Sequence, residues 1–305
     1  MKDKISIGFV ILHYVSIDET VQCIESIQNL KTNESFKIVV IDNASPNGTG
    51  EILKNKYRYT NNIEVILLEE NVGFSKANNL AAKHCIEQYN IDFLVVANND
   101  IIFIQEDFIE RIIESFKEEE FYVLGPDVYA FKVDKHQNPL NYGARTEEEI
   151  DEWIKWSENW YNNTRYNLLK EKLKENKFIN NVYRKFKPIK STSSSYIPID
   201  KTVKQKNMCL QGSCLIFSKL YLNYYQSIFY PETFFYHEED ILAYKLKKNN
   251  HLSIYDPKLI VYHDESIATS KAFKNKVKKL KFQHENMIKS ANIYRNLIIN
   301  DKNNK

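Results

Sequence analysis

Between Ile5 and Phe116 the chain alternates four times between a short apolar, largely β-branched run and a segment with helical apolar spacing. The runs are Ile5 to Leu12, Phe36 to Ile41, Ile63 to Leu68 and Phe93 to Ala97. They are nearly continuous in apolar residues, the pattern of strands covered on both faces. The helices between them are expected at Ile17 to Leu30, Gly48 to Tyr57 and Phe74 to Tyr89, with another opening at Phe108. Ser16 stands where an N-cap belongs, and Ala77, Leu80, Ala81, His84 and Cys85 form the expected inner stripe of the third helix. Such alternation predicts an α/β fold: a mainly parallel, doubly wound, Rossmann-like sheet with helices on both faces. A chain of 305 residues has room for one domain of this kind with an appendage.

Sheets of this type bind ligands outside the carboxyl ends of their strands. The residues there are His13-Tyr14, Asp42-Asn43, Glu69-Glu70-Asn71-Val72-Gly73 and Asn98-Asn99-Asp100. Each group alone reads as a turn or a helix cap. Polar and acidic groups at four consecutive strand ends, taken together, form a converging constellation. The first strand continues into His13-Tyr14-Val15-Ser16 with no GxGxxG, which argues against a dinucleotide-binding domain, and no P-loop pattern occurs.

The second half changes character. Residues 133–206 are rich in Asn, Lys, Glu and aromatic residues, with Trp153, Trp156 and Trp160 in one cluster. Glu147 to Lys177 is expected as one long or two short polar helices, and Ser191-Thr192-Ser193-Ser194-Ser195 as a flexible loop. This stretch reads as an insertion or lid. Its tryptophans would either stack on a sugar ring or pack as an aromatic stripe on the domain. A strand at Met208 to Phe217 is followed by a helix opening in Phe234-Phe235-Tyr236-His237-Glu238-Glu239-Asp240 and by short strands at Leu252 to Tyr255 and Leu259 to Tyr262. Ser270 to Asn300 is expected as a lysine-rich helix carrying Ala272, Phe273, Val277, Leu280 and Ile288.

Charge and cysteine usage narrow the function classes. Lys and Arg number 42 against 40 Asp and Glu, a net charge of +2, so no nucleic-acid partner is expected. Cys23, Cys85, Cys209 and Cys214 form no CxxC pair, which suits buried free thiols in a reducing compartment. Met1 to Ser6 enters a strand without a leader-like apolar region, and no run is long enough to span a bilayer. The expectation is a cytoplasmic protein. The basic C-terminal segment could hold it against an anionic inner leaflet, or could be the solvated face of a helical cap.

One carboxylate at a strand end, Asp100, can hold a hard divalent ion when phosphate oxygens and waters complete its shell. His263, at a late strand end, is a second candidate for that ion or for phosphate, although a lone strand histidine is more often structural. Glu238, Glu239 and Asp240 open a helix, where acids are favoured in any case; three together also repel, which lifts at least one towards the range of a general base.

These segments together resemble family 2 glycosyltransferases of the GT-A fold, a group with rhamnosyltransferase-like and bacterial polysaccharide enzymes. The matching residues are Val40-Ile41-Asp42-Asn43-Ala44-Ser45, Glu70-Asn71-Val72-Gly73-Phe74 with Asn78, Val96-Ala97-Asn98-Asn99-Asp100, Gly212, Phe234 to Asp240, and Val261-Tyr262-His263. The resemblance implies single displacement with inversion, from a UDP- or dTDP-sugar to a glycan, lipid-linked or protein-linked hydroxyl in bacterial surface polysaccharide (capsule) or glycoconjugate synthesis. It implies that Asp42 contacts the nucleobase or ribose, and that Asn71, Gly73, Phe74 and Asn78 shape the nucleotide pocket. His13, Tyr14, Asn43, Asn98, Asn99 and Gly212 would complete the donor site. Asp100 and His263 would hold Mn2+ or Mg2+ with the diphosphate. Asp240 would be the catalytic base, with Glu239 in support. The DxD-like motif has only one carboxylate, and Asn47 replaces the later acid of the Asp42 loop.

The expected division is a catalytic domain over 1–268, with a donor half (1–130), a variable insertion (133–206) and an acceptor half (207–268), then a basic helical segment over 269–305. The partners implied are the donor, the acceptor, the membrane surface and, in a homo-oligomer, a second copy. Two other readings compete: a non-catalytic sugar- or partner-binding module on the same fold, and a sugar nucleotidyltransferase. The latter needs a Gly-rich, basic loop after the first strand, where His13-Tyr14-Val15 stands.

Overall fold

A computed structural model of the chain describes residues 4–175, 198–264 and 275–304. Its centre is a ten-stranded sheet in the order β3-β2-β1-β4-β9-β6-β10-β5, with β7 and β8 as short additions on β6 and β10. The strands are β1 Ser6–His13, β2 Ser35–Asp42, β3 Ile63–Leu67, β4 Phe93–Asn98, β5 Ile101–Phe103, β6 Val123–Ala130, β7 Lys135–His136, β8 Gln205–Lys206, β9 Cys214–Ser218 and β10 Ser253–His263. The first four run parallel, as the alternation predicted. β9 is antiparallel to both β4 and β6, so β6 and its parallel neighbour β10 point the same way as β4. Register sets His13 opposite Asp42, Leu12 opposite Asn98 and Asp42 opposite Leu67, which aligns the strand-end residues in one row.

Helices cover both faces, the arrangement of the GT-A fold. On one, Phe9, Ile11, Val40 and Val95 pack against α1 (Ile17–Gln28) and α4 (Phe108–Glu118). On the other, Val10, Val39, Ile41 and Val96 meet α3 (Phe74–Tyr89) and α8 (Glu238–Lys248). Side chains alternate across a strand, so a continuous apolar run serves both layers. Helices α2 (Thr49–Tyr57) and α7 (Lys219–Tyr224) complete the α/β body. The insertion supplies α5 (Glu147–Asn162) and α6 (Thr164–Glu175), and the chain ends in α9 (Lys276–Asn303). A separate core of Ile150, Ile241, Ala291, Tyr294 and Ile298 joins α5, α8 and α9.

Several local expectations change. The two strands foreseen at Leu252 to Tyr255 and Leu259 to Tyr262 are one strand, β10, with an irregularity between Asp256 and Ile260. The strand expected from Met208 begins only at Cys214; Met208, Cys209 and Leu210 are buried loop residues. Leu80 lies outside the stripe of α3 at 48% exposure. Ser16 occupies the N-cap of α1, but its hydroxyl makes no cap hydrogen bond. The long polar segment is two helices, with α5 closed by a capping box of Thr146 and Glu149. Ser191 to Ser195, Ala272 and Phe273 lie outside the described residues. All four cysteines are free and buried, as expected.

Candidate active site

Three groups gather at the carboxyl ends of the strands. The first surrounds Asp42. The β2–α2 turn brings Ser45 back onto it: the backbone N–H of Ser45 donates to Oδ1 at 3.2 Å and its hydroxyl donates at 2.5 Å. Gly50 lies against the same carboxylate, where any Cβ would overlap Oδ2. Asp42 thereby faces a cavity of about 430 Å³ lined also by Ala44, Gly48, Leu67 and Glu69. His13 stands behind it, fully buried, with Nδ1 2.6 Å from Thr20 Oγ1 and Nε2 2.9 Å from Thr49 Oγ1. Burial drives its pKa down to about 4 against the opposing charge of Asp42, so the ring is neutral. His13 therefore supports the Asp42 turn from behind and offers no exposed atom to a nucleotide, contrary to the sequence expectation. Tyr14 is half-buried beyond it.

Asn43, Asn71, Gly73 and Asn78 shape the β3–α3 loop. Asn43 donates to Asn71 Oδ1 (3.1 Å) and accepts from the Val72 N–H (2.9 Å). Gly73 adopts a φ of +85° at the N-cap of α3, and a Cβ there would meet Phe234 at 2.6 Å. Only glycine takes that conformation and that approach without strain. Asn78 is fully buried; its Nδ2 donates to the Phe74 carbonyl and its Oδ1 is unpaired.

The second group is the turn of Asn98, Asn99 and Asp100 between β4 and β5. Asn99, expected in the donor site, is buried and donates to Ser16 O and Thr20 Oγ1, which ties it into the scaffold beneath the turn. Asp100 stands 3.3 Å from His263 Nε2, because β5 pairs with the end of β10. His263 Nδ1 lies 2.6 Å from Gln137 Oε1, an arrangement that orients the ring with Nε2 facing Asp100. Asp100 Oδ1 is buried and lacks a hydrogen bond, and an imidazole nitrogen beside such a carboxylate makes a donor pair that could hold a divalent cation. No cluster of three or more metal-ligating side chains occurs among the described residues, so other ligands would have to come from elsewhere.

The third group is a cavity of about 250 Å³ lined by Asn98, Gly212, Ser213, Leu140, Arg145, Trp153 and Met287 among others. The first residues of α8 line it, and their environments differ sharply. Glu238 is buried, accepts from the Ser75 hydroxyl at 3.3 Å, and is pushed up to about 8 by burial and the neighbouring Glu239. Glu239 is half-buried and accepts from the Gly212 N–H at 3.2 Å; burial and Asp240 hold its pKa above the usual range. A Cβ on Gly212 would come within 2.8 Å of Glu239 Oε1. Asp240 is buried too, but Arg145 pairs with Oδ2 and His237 Nδ1 lies 3.0 Å from the same atom. Burial would raise its pKa, yet the His237 hydrogen bond and the Arg145 charge prevail and hold it low. Tyr236 and His237 both have positive φ, +73° and +64°, a strained entry to a helix that only firm surroundings can hold.

A family profile described as Glycosyl transferase family 2 matches residues 9–187. The chain belongs to this glycosyltransferase family. Solved structures with the same fold include S. aureus TarS residues 1–349, at 14% identity and a TM-score of 0.52 over 93% of this chain and 69% of that one. Against a longer TarS structure the match covers 85% of this chain but only 36% of that one, with 16% identity and a TM-score of 0.51. The mannosyltransferase PcManGT from Pyrobaculum calidifontis matches at 10% identity and a TM-score of 0.52, over 96% of this chain and 74% of that one. A search of curated protein sequences returns no match. In this family 2 glycosyltransferase, sequence reasoning missed Arg145, Gly50 and Met287, and quoted Ser45 and His237 within matching segments without giving them a role. Their partners lie elsewhere in the chain or in a turn, so no local signal marked them. No described helix is long and apolar enough to cross a membrane.

Proposed function

We propose that the chain transfers a sugar, with inversion, from a nucleoside-diphosphate sugar to an acceptor hydroxyl, and that Glu239 is the general base. The observation that carries this is the contrast within α8. Asp240 has its carboxylate occupied by Arg145 and His237 and held at low pKa, whereas Glu239 lines the cavity with a raised pKa and one oxygen steadied by the Gly212 N–H. A base needs an accessible carboxylate tuned upwards, and Glu239 meets both conditions. In the reaction Glu239 takes the acceptor O–H proton, the acceptor oxygen attacks the anomeric carbon from the face opposite the leaving group, and the C–O bond to the diphosphate breaks. The nucleoside diphosphate leaves with the bonding pair.

The Asp42 cavity is suited to the nucleoside, its carboxylate accepting from base or ribose. Asp100 and His263 suit a divalent ion, which would neutralise the diphosphate charge. TarS residues 1–349 are described in complex with UDP, and PcManGT in complex with GDP-Man and Mn2+. By analogy the donor here is a UDP- or dTDP-linked hexose or rhamnose, and the acceptor a glycan or a lipid- or protein-linked sugar of a bacterial surface polymer. In this reading residues 1–130 bind the donor, and 133–206 with 207–268 receive the acceptor. The basic segment after residue 268 faces the inner leaflet.

The test is a panel of UDP-, dTDP- and GDP-sugars with Mn2+ or Mg2+, reading release of nucleoside diphosphate. One nucleotide class should be turned over in a metal-dependent way. Glu239→Gln should lower transfer about 10²- to 10⁴-fold while donor binding persists. Glu239→Gln retaining turnover while Asp240→Asn abolishes it would return the base to Asp240. Release with no donor at all would remove the enzymatic reading.

A further inference from the structure

The lining of the cavity at Glu239 mixes two kinds of residue: Asn98 and Ser213, bonded to each other beside the β4 turn, and the apolar Leu140, Trp153 and Met287. These apolar residues belong to the insertion and to α9, and these segments are braced. Tyr294 of α9 donates to the Arg145 carbonyl at 2.7 Å, and Ser290 to the Phe235 carbonyl at 2.7 Å. Arg145 lies over the Trp153 ring at 4.9 Å, and the His237 ring meets Trp153 edge-on at 5.9 Å. Trp156 and Trp160 turn instead to His284 of α9, the latter stacked at 8°. Of the three tryptophans, then, Trp153 lines the cavity, and the other two fasten the insertion to the C-terminal helix.

The charge of the cavity is also one-sided. Of the three acids that line it, Glu238 is held neutral and Asp240 is paired with Arg145, which leaves Glu239 as the carboxylate without a cationic partner. Among the described lining residues, Arg145 is the one Arg or Lys, and its guanidinium is committed to Asp240. An acceptor bearing a phosphate or carboxylate beside its reacting hydroxyl would meet the Glu239 carboxylate, with no unpaired Arg or Lys among the described lining residues to answer it. A neutral pyranose would set its C–H groups on the Trp153, Met287 and Leu140 wall and present a hydroxyl to Glu239.

We infer that Trp153, Met287 and Leu140 form the acceptor subsite, and that this subsite selects an uncharged sugar ring over one carrying an anionic group. The inference rests on the transferase reading above, with Glu239 as base. Trp153 and Met287 are specificity-determining residues supplied by segments outside the parallel half of the sheet, and acceptor choice follows from how α5 and α9 pack together.

The test uses the full chain with whichever of UDP-glucose, UDP-N-acetylglucosamine, dTDP-rhamnose and GDP-mannose it hydrolyses, and two acceptor series. One holds methyl glycosides of glucose, galactose, mannose, rhamnose and N-acetylglucosamine; the other holds the matching uronic acids and 6-phosphates. Donor hydrolysis without acceptor is measured alongside, and reports on the transferase reading independently. At least one neutral glycoside should be glycosylated, with kcat/KM at least tenfold above its charged counterpart. Met287→Ala and Trp153→Phe should each raise the KM of that glycoside roughly tenfold or more, the scale of a lost apolar contact, while the KM of the donor moves less than twofold. Charged acceptors matching or exceeding the neutral ones would overturn the inference. So would transfer to no neutral glycoside by protein that hydrolyses donor, or variants in which the acceptor KM does not move.

Discussion

Replacing Arg145 by methionine isolates the ion pair that ties the insertion to the catalytic helix. The Asp240 side chain is 4% exposed and that of Arg145 25%, so the pair is shielded on the carboxylate side. Removing one partner of a buried pair costs about 3–5 kcal/mol, because the remaining charge stays desolvated. His237 still binds Oδ2, and the backbone N–H of Arg145 still approaches Oδ1 at 3.4 Å, which places the expected loss near the lower end, at about 3 kcal/mol. The sign of the pH dependence follows from Asp240. Its folded pKa is depressed, so its stabilising contribution is present above the ordinary carboxylate range and is lost as pH falls through the folded value. The deficit of Arg145→Met should therefore be largest at neutral pH and shrink under acid, where the orphaned carboxyl protonates. Asp240→Asn in the same chain should recover a large part of the loss, because it removes the charge that lacks a partner. Urea unfolding at neutral and mildly acidic pH, across the four proteins of the cycle, measures all three quantities. A loss under about 1 kcal/mol, or strict additivity of the two changes, would refute the claim that this pair is a buried, coupled unit. In protein that stays folded, Asp240 without Arg145 should push Glu239 further up and move the acid limb of the rate profile to higher pH.

Two further outcomes bear on the neighbouring groups. Gly50→Ala would normally gain about 1 kcal/mol of helix stability, but here the new methyl overlaps the Asp42 carboxylate and comes within 2.9 Å of its Cβ. Calorimetric titration with UDP or dTDP should show affinity weakened roughly tenfold, and unchanged affinity would exclude Asp42 from the nucleoside site. Glu238 has a folded pKa raised from an ordinary 4.5 to about 8, so the unfolded chain releases its proton first and wild-type stability declines as pH rises through that window. Glu238→Gln, which keeps the neutral shape, should match the wild type near pH 4.5 and exceed its unfolding midpoint at pH 8; parallel curves for the two proteins would show Glu238 to be ionised in the fold.

The parallel half of the sheet was legible because its strands are buried on both faces and its helices on one, so apolar pattern alone marks them. Every strand-end residue from His13 to Asp100 was located this way. What was not legible depended on distant partners. Ile101 to Phe103 is too short to announce a strand, and forms one because the end of β10 supplies its hydrogen bonds. Met208 to Leu210 looks like strand but is apolar because it is a covered loop. His13 and Asn99 sit among ligand-facing positions yet turn into the scaffold, a choice made by Thr20, a threonine of α1 that bonds to both. Arg145 meets Asp240 across 95 residues, and nothing near either one advertises the other.

The adjacent acids of α8 show why residue type could not assign their chemistry. A helix N-terminus favours each of them by a similar small amount, about 1 kcal/mol or less. Their separation comes from direction. Glu238 points to Ser75 and a buried layer that raises its pKa; Glu239 points to the Gly212 N–H and the cavity; Asp240 points to Arg145 and His237. The direction is set by how α8 is entered, through two residues with positive φ whose strain must be held by neighbours. Those neighbours are Asp240 itself, which His237 reaches within one turn, and α9, whose Ser290 hydroxyl donates to the carbonyl of Phe235 just before the strained pair. The insertion and the C-terminal helix thus act on the chemistry through the backbone ahead of α8. They fix which carboxylate is neutral, which is paired and which is left to take a proton. A change in either segment should therefore alter the pH profile of transfer as well as the choice of acceptor.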